Sequence, residues 1–308
     1  MQANPSPPAF EISAIGPSPL QAIHHPLLAR YGVELWCKRD DLIHPLISGN
    51  KWRKLKYHLH HAREHGKRHL LSFGGAYSNH IHALAAAGHQ FGLRTTGIIR
   101  GESDSVSNST LSDARRWGMD LVFVDRQSYR RRQEPEWLAQ FEAADTLIVP
   151  EGGSSPLAIP GVAELVTELP FSPDLWVLPC ASGGTLAGLI AGKLEREQIL
   201  AIAVLKGGSF IADEVRRLYS AAATTHGWQI ALDHHDGGYA RFSPALWQWV
   251  QAFSAETGLP LEPIYSGKAM YGLFRELAAG RIAPGSRIVF IHTGGMQGLA
   301  GLREQGRL

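Results

Sequence analysis

The sequence predicts an α/β fold of two lobes, each a parallel twisted sheet flanked by helices. Three observations predict it. Short β-like runs alternate with longer helical patterns along almost the whole chain, as strands joined by crossover helices do. The glycine-rich turns Gly74-Gly75, Ser182-Gly183-Gly184 and Thr293-Gly294-Gly295 follow strand-like runs directly. The β–α units also fall into two groups, which divides the chain into a small domain, 51–154, and a large one, 1–50 with 155–308.

Residues 33–38 read as a strand and 51–64 as a helix. A strand at 69–73 runs into Gly74-Gly75, and the alanine-rich stretch 79–91 is helical. A strand at 94–99 precedes a helix at 109–117 that Gly118 closes, because glycine accepts the left-handed backbone of a helix stop. Strands at 121–124 and 146–149 complete four β–α units, and the basic stretch 127–136 is expected as a loop. The second group opens with an apolar strand at 175–178, a glycine-rich turn and a helix through Lys193. A strand at 200–205, a helix at 210–221, a strand at 229–232, helices near 244–256 and 268–279, and a strand at 287–291 follow. Sheets of this kind bind ligands at the carboxyl ends of their strands, so the glycine turns can converge on a cleft between lobes.

The 308 residues suffice for one large α/β domain or two smaller ones. A hydrophobic share of 44% and a charged share of 19% are those of an ordinary globular enzyme. A net charge of +2 is too small to argue for nucleic acid, and no basic block carries interleaved aromatics. Arg130-Arg131-Arg132, the densest basic run, reads as a solvated loop or helix start. Cys37 and Cys180 form no CxxC pair, so neither a disulfide framework nor a thiolate zinc site is expected, which suits a reducing cytosol. Met1 to Pro8 lacks the basic-then-apolar order of a signal peptide, and no apolar run is long enough to span a bilayer. His58, His61 and His65 share a helix face, but without HExxH or a carboxylate at ligand spacing a solvated face is expected rather than a metal site.

Chemistry concentrates in three segments. Ser48-Gly49-Asn50-Lys51 places a lysine at the mouth of a helix, where Ser48 or Asn50 could cap. Lys54 lies one turn onward on the same face, able to depress the pKa of Lys51 or to hold a phosphate. By themselves these two lysines could equally belong to a capped surface helix. The run Ser182-Gly183-Gly184-Thr185-Leu186-Ala187-Gly188 follows an apolar strand, and its small residues let backbone N–H groups approach an anion at a helix N-terminus. It is neither GxGxxG nor a P-loop, so nicotinamide and nucleoside triphosphates gain no support. Gly74-Gly75-Ala76-Tyr77-Ser78-Asn79-His80 repeats the strand–turn–helix context. A substrate carboxylate could sit there, with Ser78 moving a proton, Asn79 bonding a phenolate oxygen and His80 lining the pocket. A lysine that forms a Schiff base when deprotonated, beside an anion cradle, suits a phosphorylated aldehyde, pyridoxal 5′-phosphate (PLP).

Together these motifs resemble the PLP-dependent family of 1-aminocyclopropane-1-carboxylate (ACC) deaminases and D-cysteine desulfhydrases, of tryptophan synthase β-like fold, over about 35–299. The resemblance implies that Lys51 is the Schiff-base lysine and that Ser78 takes part in proton transfer or attack. It implies Asn79 as partner of the cofactor's 3′ oxygen and the Asn79 and His80 backbone, beside Ser78, as the carboxylate site. Lys54 with Ser182, Gly183, Gly184, Thr185 and Leu186 would hold the phosphate. Tyr239 and Tyr265 match the family's two pocket tyrosines, and Thr293 the hydroxyl facing the pyridine nitrogen. A hydroxyl there favours an unprotonated ring and a weaker electron sink, which suits expulsion of a β-leaving group.

Ser266 and Thr293 stand as in the desulfhydrase branch, where ACC deaminases carry glutamate and leucine. Tyr77 stands where the family usually has glutamine, which can reshape the pocket. The expectation is therefore a cytoplasmic, homodimeric PLP-dependent lyase with no metal, acting on D-cysteine to give pyruvate, ammonia and sulfide. The alternatives are an ACC deaminase (a hydrolase), elimination from D-serine or β-chloro-D-alanine, a PLP-binding protein without robust catalysis, and a nucleotide-binding module.

Overall fold

Strand pairing sorts the chain into two sheets in a computed structural model that describes residues 12, 15–101 and 108–308. Met1 to Pro8 lies outside the described residues. The chain begins with β1 (Leu20–Ile23), α1 (Pro26–Tyr31), β2 (Glu34–Lys38) and α2 (Asn50–Glu64). It continues through β3 (His69–Gly75), α3 (Asn79–Phe91), β4 (Arg94–Arg100), α4 (Ser109–Arg116), β5 (Met119–Val124), α5 (Arg126–Arg130), α6 (Pro135–Leu138) and β6 (Thr146–Ile148). Then come α7 (Ala158–Thr167), β7 (Leu175–Cys180), α8 (Gly184–Gly192), β8 (Gln198–Ala203), α9 (Ile211–Leu218) and β9 (Trp228–Ala231). The last elements are α10 (Pro244–Thr257), α11 (Ser266–Ala278), β10 (Arg287–Ile291) and α12 (Gly298–Glu304).

The larger sheet has the order β1-β2-β10-β7-β8-β9 and is parallel except for β1, which pairs antiparallel with β2. The smaller sheet is wholly parallel, with order β5-β4-β3-β6. Every residue of β7 is buried, as a central parallel strand with helices on both faces requires. Side chains alternate accordingly. Val177 and Phe290 pack with α10 and α11 residues, whereas Trp176, Leu178, Val289 and Ile291 join the core under α8 and α9. The small sheet packs against α2, α3 and α4 through Leu55, Leu59, Leu84 and Leu111.

Each sheet reverses its strand order once, between β3 and β6 and between β7 and β10. Such switch points leave a crevice at the strands' carboxyl ends. β3 itself ends in Gly74-Gly75, and the turns that follow the other three strands hold Glu151 to Ser154, Ser182-Gly183 and Thr293 to Gly295.

Three expectations need correction. The stretch 127–136 is not a plain loop. Asp125 caps α5 by accepting from Gln127 N (2.7 Å) and Ser128 N (2.9 Å), and Tyr129 and Trp137 are buried against Phe73. α7 lies where no element was expected, between the strands at 146–149 and 175–178. Pro160 sits in the first turn, where its missing N–H has no partner to lose. Gly161 permits contact with α2, because a Cβ there would stand 2.1 Å from the Arg53 carbonyl oxygen. His58 is not on a solvated face but buried, its Nδ1 2.7 Å from Lys54 O and its Nε2 2.8 Å from Ser155 Oγ. Among the described residues no cluster of His, Cys, Asp and Glu could hold a metal ion, and no helix is long and apolar enough to cross a membrane.

Candidate active site

The start of α2 is fixed by the end of β10. Gly49 (φ +70°) lies so close to Thr293 that a Cβ would stand 2.0 Å from its carbonyl oxygen, and Asn50 N donates to that oxygen at 3.2 Å. Only glycine fits. Neither Ser48 nor Asn50 caps the helix by its side chain. Ser48 Oγ donates to Asp41 O (3.2 Å), and Asn50 Nδ2 reaches across to Thr185 Oγ1 (2.8 Å), tying α2 to α8.

Lys51 in the first turn of α2 lines a cavity of about 480 Å³ with Lys54, Ser78, Asn79, His80, Ser182, Gly183, Thr185, Tyr239, Tyr265 and Thr293. The structure thus brings together the residues singled out in the sequence, except that Gly184 and Leu186 do not line it. Leu186 is fully buried in the core, so only its backbone N–H, in the first turn of α8, is left to serve a bound group. Among the described residues, Lys51 Nζ has no hydrogen-bond or ion-pair partner. Burial draws its pKa down to about 8, with Glu151 pulling it back up. The depression expected from Lys54 comes instead from desolvation.

Lys54 is 1% exposed, and its ammonium meets only neutral oxygens: Ser154 Oγ (3.1 Å), Gly152 O (3.2 Å) and Ser182 Oγ (3.5 Å). Burial and then the charge of Lys51 push its pKa well below the usual lysine range. Gly183 (φ +74°) leads into α8, and a Cβ on Gly184 would stand 2.5 Å from Ser154 Oγ and 3.1 Å from Lys54 Nζ. A buried cation with no counter-charge, facing a helix N-terminus, is a site for an anion.

Across the cavity, Ser78 caps α3 by accepting from Ile81 N (3.3 Å), while the Asn79 side chain has no hydrogen bond among the described residues. His80 is 2% exposed. Ser72 Oγ donates to Val149 O (2.7 Å), so it accepts from His80 Nε2 (2.8 Å), which leaves Nδ1 an acceptor without a partner. Burial, then Lys51 and Lys54, keep His80 neutral by lowering its pKa. Tyr265 Oη donates to Tyr239 Oη at 3.0 Å; burial, then Tyr239, raise the Tyr265 pKa well above its ordinary value.

A second cavity of about 460 Å³ shares Ser78, Asn79, Glu151, Tyr239 and Tyr265 with the first. Tyr77 lines it and leans on α12, its ring atoms 2.4–2.6 Å from where a Gly301 Cβ would be. The sequence reading missed several residues of the site. Glu151 accepts from Tyr129 Oη (2.7 Å) and Arg132 Nε (2.6 Å) at the wall between the cavities. Gly152-Gly153-Ser154 is a glycine pair after a strand, the same signal as Gly74-Gly75, and was readable. Glu262, 3% exposed, accepts from Ile264 N (2.7 Å), Tyr265 N (2.9 Å) and Ser266 N (2.6 Å), and had no such signal.

These groups fit a phosphorylated aldehyde: a free amine of lowered pKa, an uncompensated buried cation at a helix start, an unbonded amide and a hydroxyl at Thr293. A family model described as pyridoxal-phosphate dependent enzyme matches residues 12–294. A Pyrococcus horikoshii protein with a provisional ACC deaminase name is 31% identical over 87% of this chain and 86% of its own length. The Arabidopsis thaliana mitochondrial bifunctional D-cysteine desulfhydrase/ACC deaminase is 29% identical over 92% of this chain and 77% of its own. A crystal structure of an ACC deaminase homologue superposes with a TM-score of 0.79 at 28% identity, covering 94% of this chain and 93% of that one.

Proposed function

This chain belongs to the pyridoxal-phosphate dependent enzyme family, among the ACC deaminases and D-cysteine desulfhydrases, and we propose that it eliminates the β-substituent of a small D-amino acid, D-cysteine foremost. The observation that carries the proposal is the convergence of Lys51, Ser78 and the Tyr239–Tyr265 hydroxyl pair on one cavity. Ser266 supports elimination over ring opening. It is fully buried and turned onto Glu262, its Oγ 3.0 Å from Oε1, so no acid enters the cavity from the position where ACC deaminases carry glutamate.

Pyridoxal phosphate, when bound, supplies the electron sink that acidifies the substrate's Cα–H. Lys51 would hold it through Nζ, and Lys54 with Ser182, Gly183, Gly184, Thr185 and the Leu186 N–H would hold its phosphate. Asn79 would bond its ring oxygen and Thr293 its ring nitrogen. Ser78 and the N–H groups of Asn79 and His80 would orient the substrate carboxylate. Lys51, or Ser78 helped by a tyrosine hydroxyl, takes the Cα proton, and hydrosulfide leaves Cβ. The resulting enamine takes up water to give pyruvate and ammonia. The same reading includes a homodimer in the cytosol and the two domains 1–50 with 155–308 and 51–154. The separate sheets support the division, family likeness supports the dimer, and the unpaired, buried Cys37 and Cys180 suit the compartment.

Removing one proton-transfer group costs about 10²–10⁴-fold, so Ser78→Ala should bind cofactor normally and lose turnover by that order. The test is a visible spectrum of the purified protein titrated with D-cysteine, L-cysteine, ACC and D-serine while pyruvate and sulfide are followed. Keto acid from ACC alone, or none from any of them, would overturn the reading. So would full turnover by Ser78→Ala with cofactor bound.

A further inference from the structure

Lys268, in the first turn of α11, has no exposed surface and no carboxylate partner. Its ammonium instead donates to two backbone carbonyls, Val204 O at the end of β8 (3.1 Å) and Gly238 O (2.7 Å). A buried lysine with neutral partners is a poor device for stability, since an apolar side chain of similar length would fill the same space without desolvating a charge. The geometry it fixes is the more telling feature. Gly238 immediately precedes Tyr239, in a turn where Asp236 (φ +43°), Gly237 (φ +88°), Gly238 (φ +108°) and Ala240 (φ +56°) all have left-handed backbone.

Two of these are not glycine, so the turn is strained and persists only because its surroundings hold it. Within the turn, Gly238 N donates to His235 O (3.0 Å) and Arg241 N to Gly238 O (3.1 Å). From outside it, Lys268 also takes the carbonyl before Tyr239, Arg307 Nη2 takes the carbonyl after it (Ala240 O, 2.7 Å), and Asp236 Oδ2 accepts from Ser243 N (2.5 Å). Tyr239 itself is 52% exposed, and among the described residues Tyr265 is its one polar and ring contact. Little packing orients its ring, so its backbone must.

We propose that Lys268 is a positioning residue that sets Tyr239, and through it the Tyr239–Tyr265 hydroxyl pair, against the Ser78 side of the cavity. Lys268 does not line the cavity and touches neither substrate nor cofactor. The proposal rests on the reading of Tyr239 as a pocket residue.

The test uses the cofactor-loaded protein with Lys268→Met, which keeps an unbranched stem one atom shorter and removes the donors. Borohydride should still tag Lys51, showing that cofactor is held. Amide exchange over residues 236–241 should accelerate at least ~10-fold relative to wild type while β7 and β8 stay protected. Turnover should fall about 10–100-fold, the scale of an ångström-sized misplacement, with KM little changed. Lys268→Met combined with Tyr239→Phe should be no slower than the worse single variant, because both act through one hydroxyl.

Unchanged exchange at 236–241, unchanged turnover, or losses that multiply in the double variant would overturn the proposal. If Lys268→Met does not fold, Lys268→Gln, whose amide falls one bond short of Gly238 O, is read against the same outcomes. A wild-type enzyme that releases no keto acid from any amino acid sinks the functional reading instead, and the exchange result then stands separately.

Discussion

Arg53 and Lys54 are consecutive cations on α2, 2% and 1% exposed, yet their surroundings have little in common. Arg53 is enclosed by acids. Its Nε and Nη2 donate to Asp40 (2.7 and 2.8 Å), and its Nη1 and Nη2 to Glu168 (2.7 and 2.9 Å). Lys38 completes the group by donating to Ser18 O (2.5 Å) and pairing with Glu168 (2.7 Å). Two cations meet two carboxylates, and the cluster ties β2, α2 and the end of α7 together. Burial alone would raise the Glu168 pKa, but Arg53 and Lys38 carry it below the ordinary value. Lys54, one residue along and facing the cleft, meets hydroxyls and a carbonyl only. A compensated charge holds the fold, whereas an uncompensated one awaits a ligand, and the difference separates scaffold from site on a single helix.

That contrast can be broken experimentally. The largest effect belongs to Arg53→Met, which leaves buried Asp40 with no cation and Glu168 with Lys38 alone. Denaturant unfolding of the cofactor-free protein should show a loss of about 3–5 kcal/mol. A loss under about 1 kcal/mol would mean that the cluster is not what holds α2.

Lys54→Met should act the other way round. Cofactor-free stability should hold or rise, while cofactor affinity should drop by about 1.5–3 kcal/mol, the worth of charge-assisted hydrogen bonds. Equilibrium dialysis and melting of the same variant measure the two halves, and a large stability loss with unchanged affinity would reverse the assignment.

The pH dependence tests the same contrast without any substitution. Lys51 and Lys268 are both drawn by burial to about 8, below their unfolded value of 10.5. Between those limits the unfolded chain binds more protons, so cofactor-free stability should climb as pH rises above 8, by up to about 1.4 kcal/mol per unit per lysine. Tyr129 and Tyr265 oppose this above pH 10, because their raised pKa values favour the neutral forms that the unfolded chain gives up first. A melting temperature that is flat or falling from pH 8 to 9.5 would contradict the burial of these ammonium groups. In Lys54→Met the climb should be shallower, since Lys54 shifts in the same direction.

Much of the fold was legible because its signals are local. Helix 79–91 and strand 287–291 match α3 and β10 residue for residue, since an alanine-rich run bounded by Ser78 and Gly92 and an apolar run of five leave few alternatives. α7 was hidden by Pro160-Gly161, whose first-turn position and close contact with Arg53 O make sense only once α2 is alongside. α5 and α6 were hidden by the charge of 126–136, which masks Tyr129 and Trp137 turning under the small sheet. At the site, Lys51, Ser78 and the Ser182 turn were readable because glycine turns after strands advertise themselves. Glu151 stands beside the readable Gly152-Gly153 pair, but Glu262 and Lys268 are single charged residues that nothing local marks.

The sequence by itself determined the strand–turn–helix grammar, the two groups of β–α units and the residues that carry the family likeness. These follow from backbone preferences and periodicity within a few residues of each position. Only the tertiary structure decided which buried cations find acids and which do not, that Asn50 binds Thr185 instead of capping its own helix, and that Lys268 grips the Tyr239 turn. Desolvation and hydrogen-bond satisfaction depend on atoms brought from other elements, 30 residues away for Lys268 and Gly238 and 135 for Asn50 and Thr185, and no local pattern records who those neighbours will be.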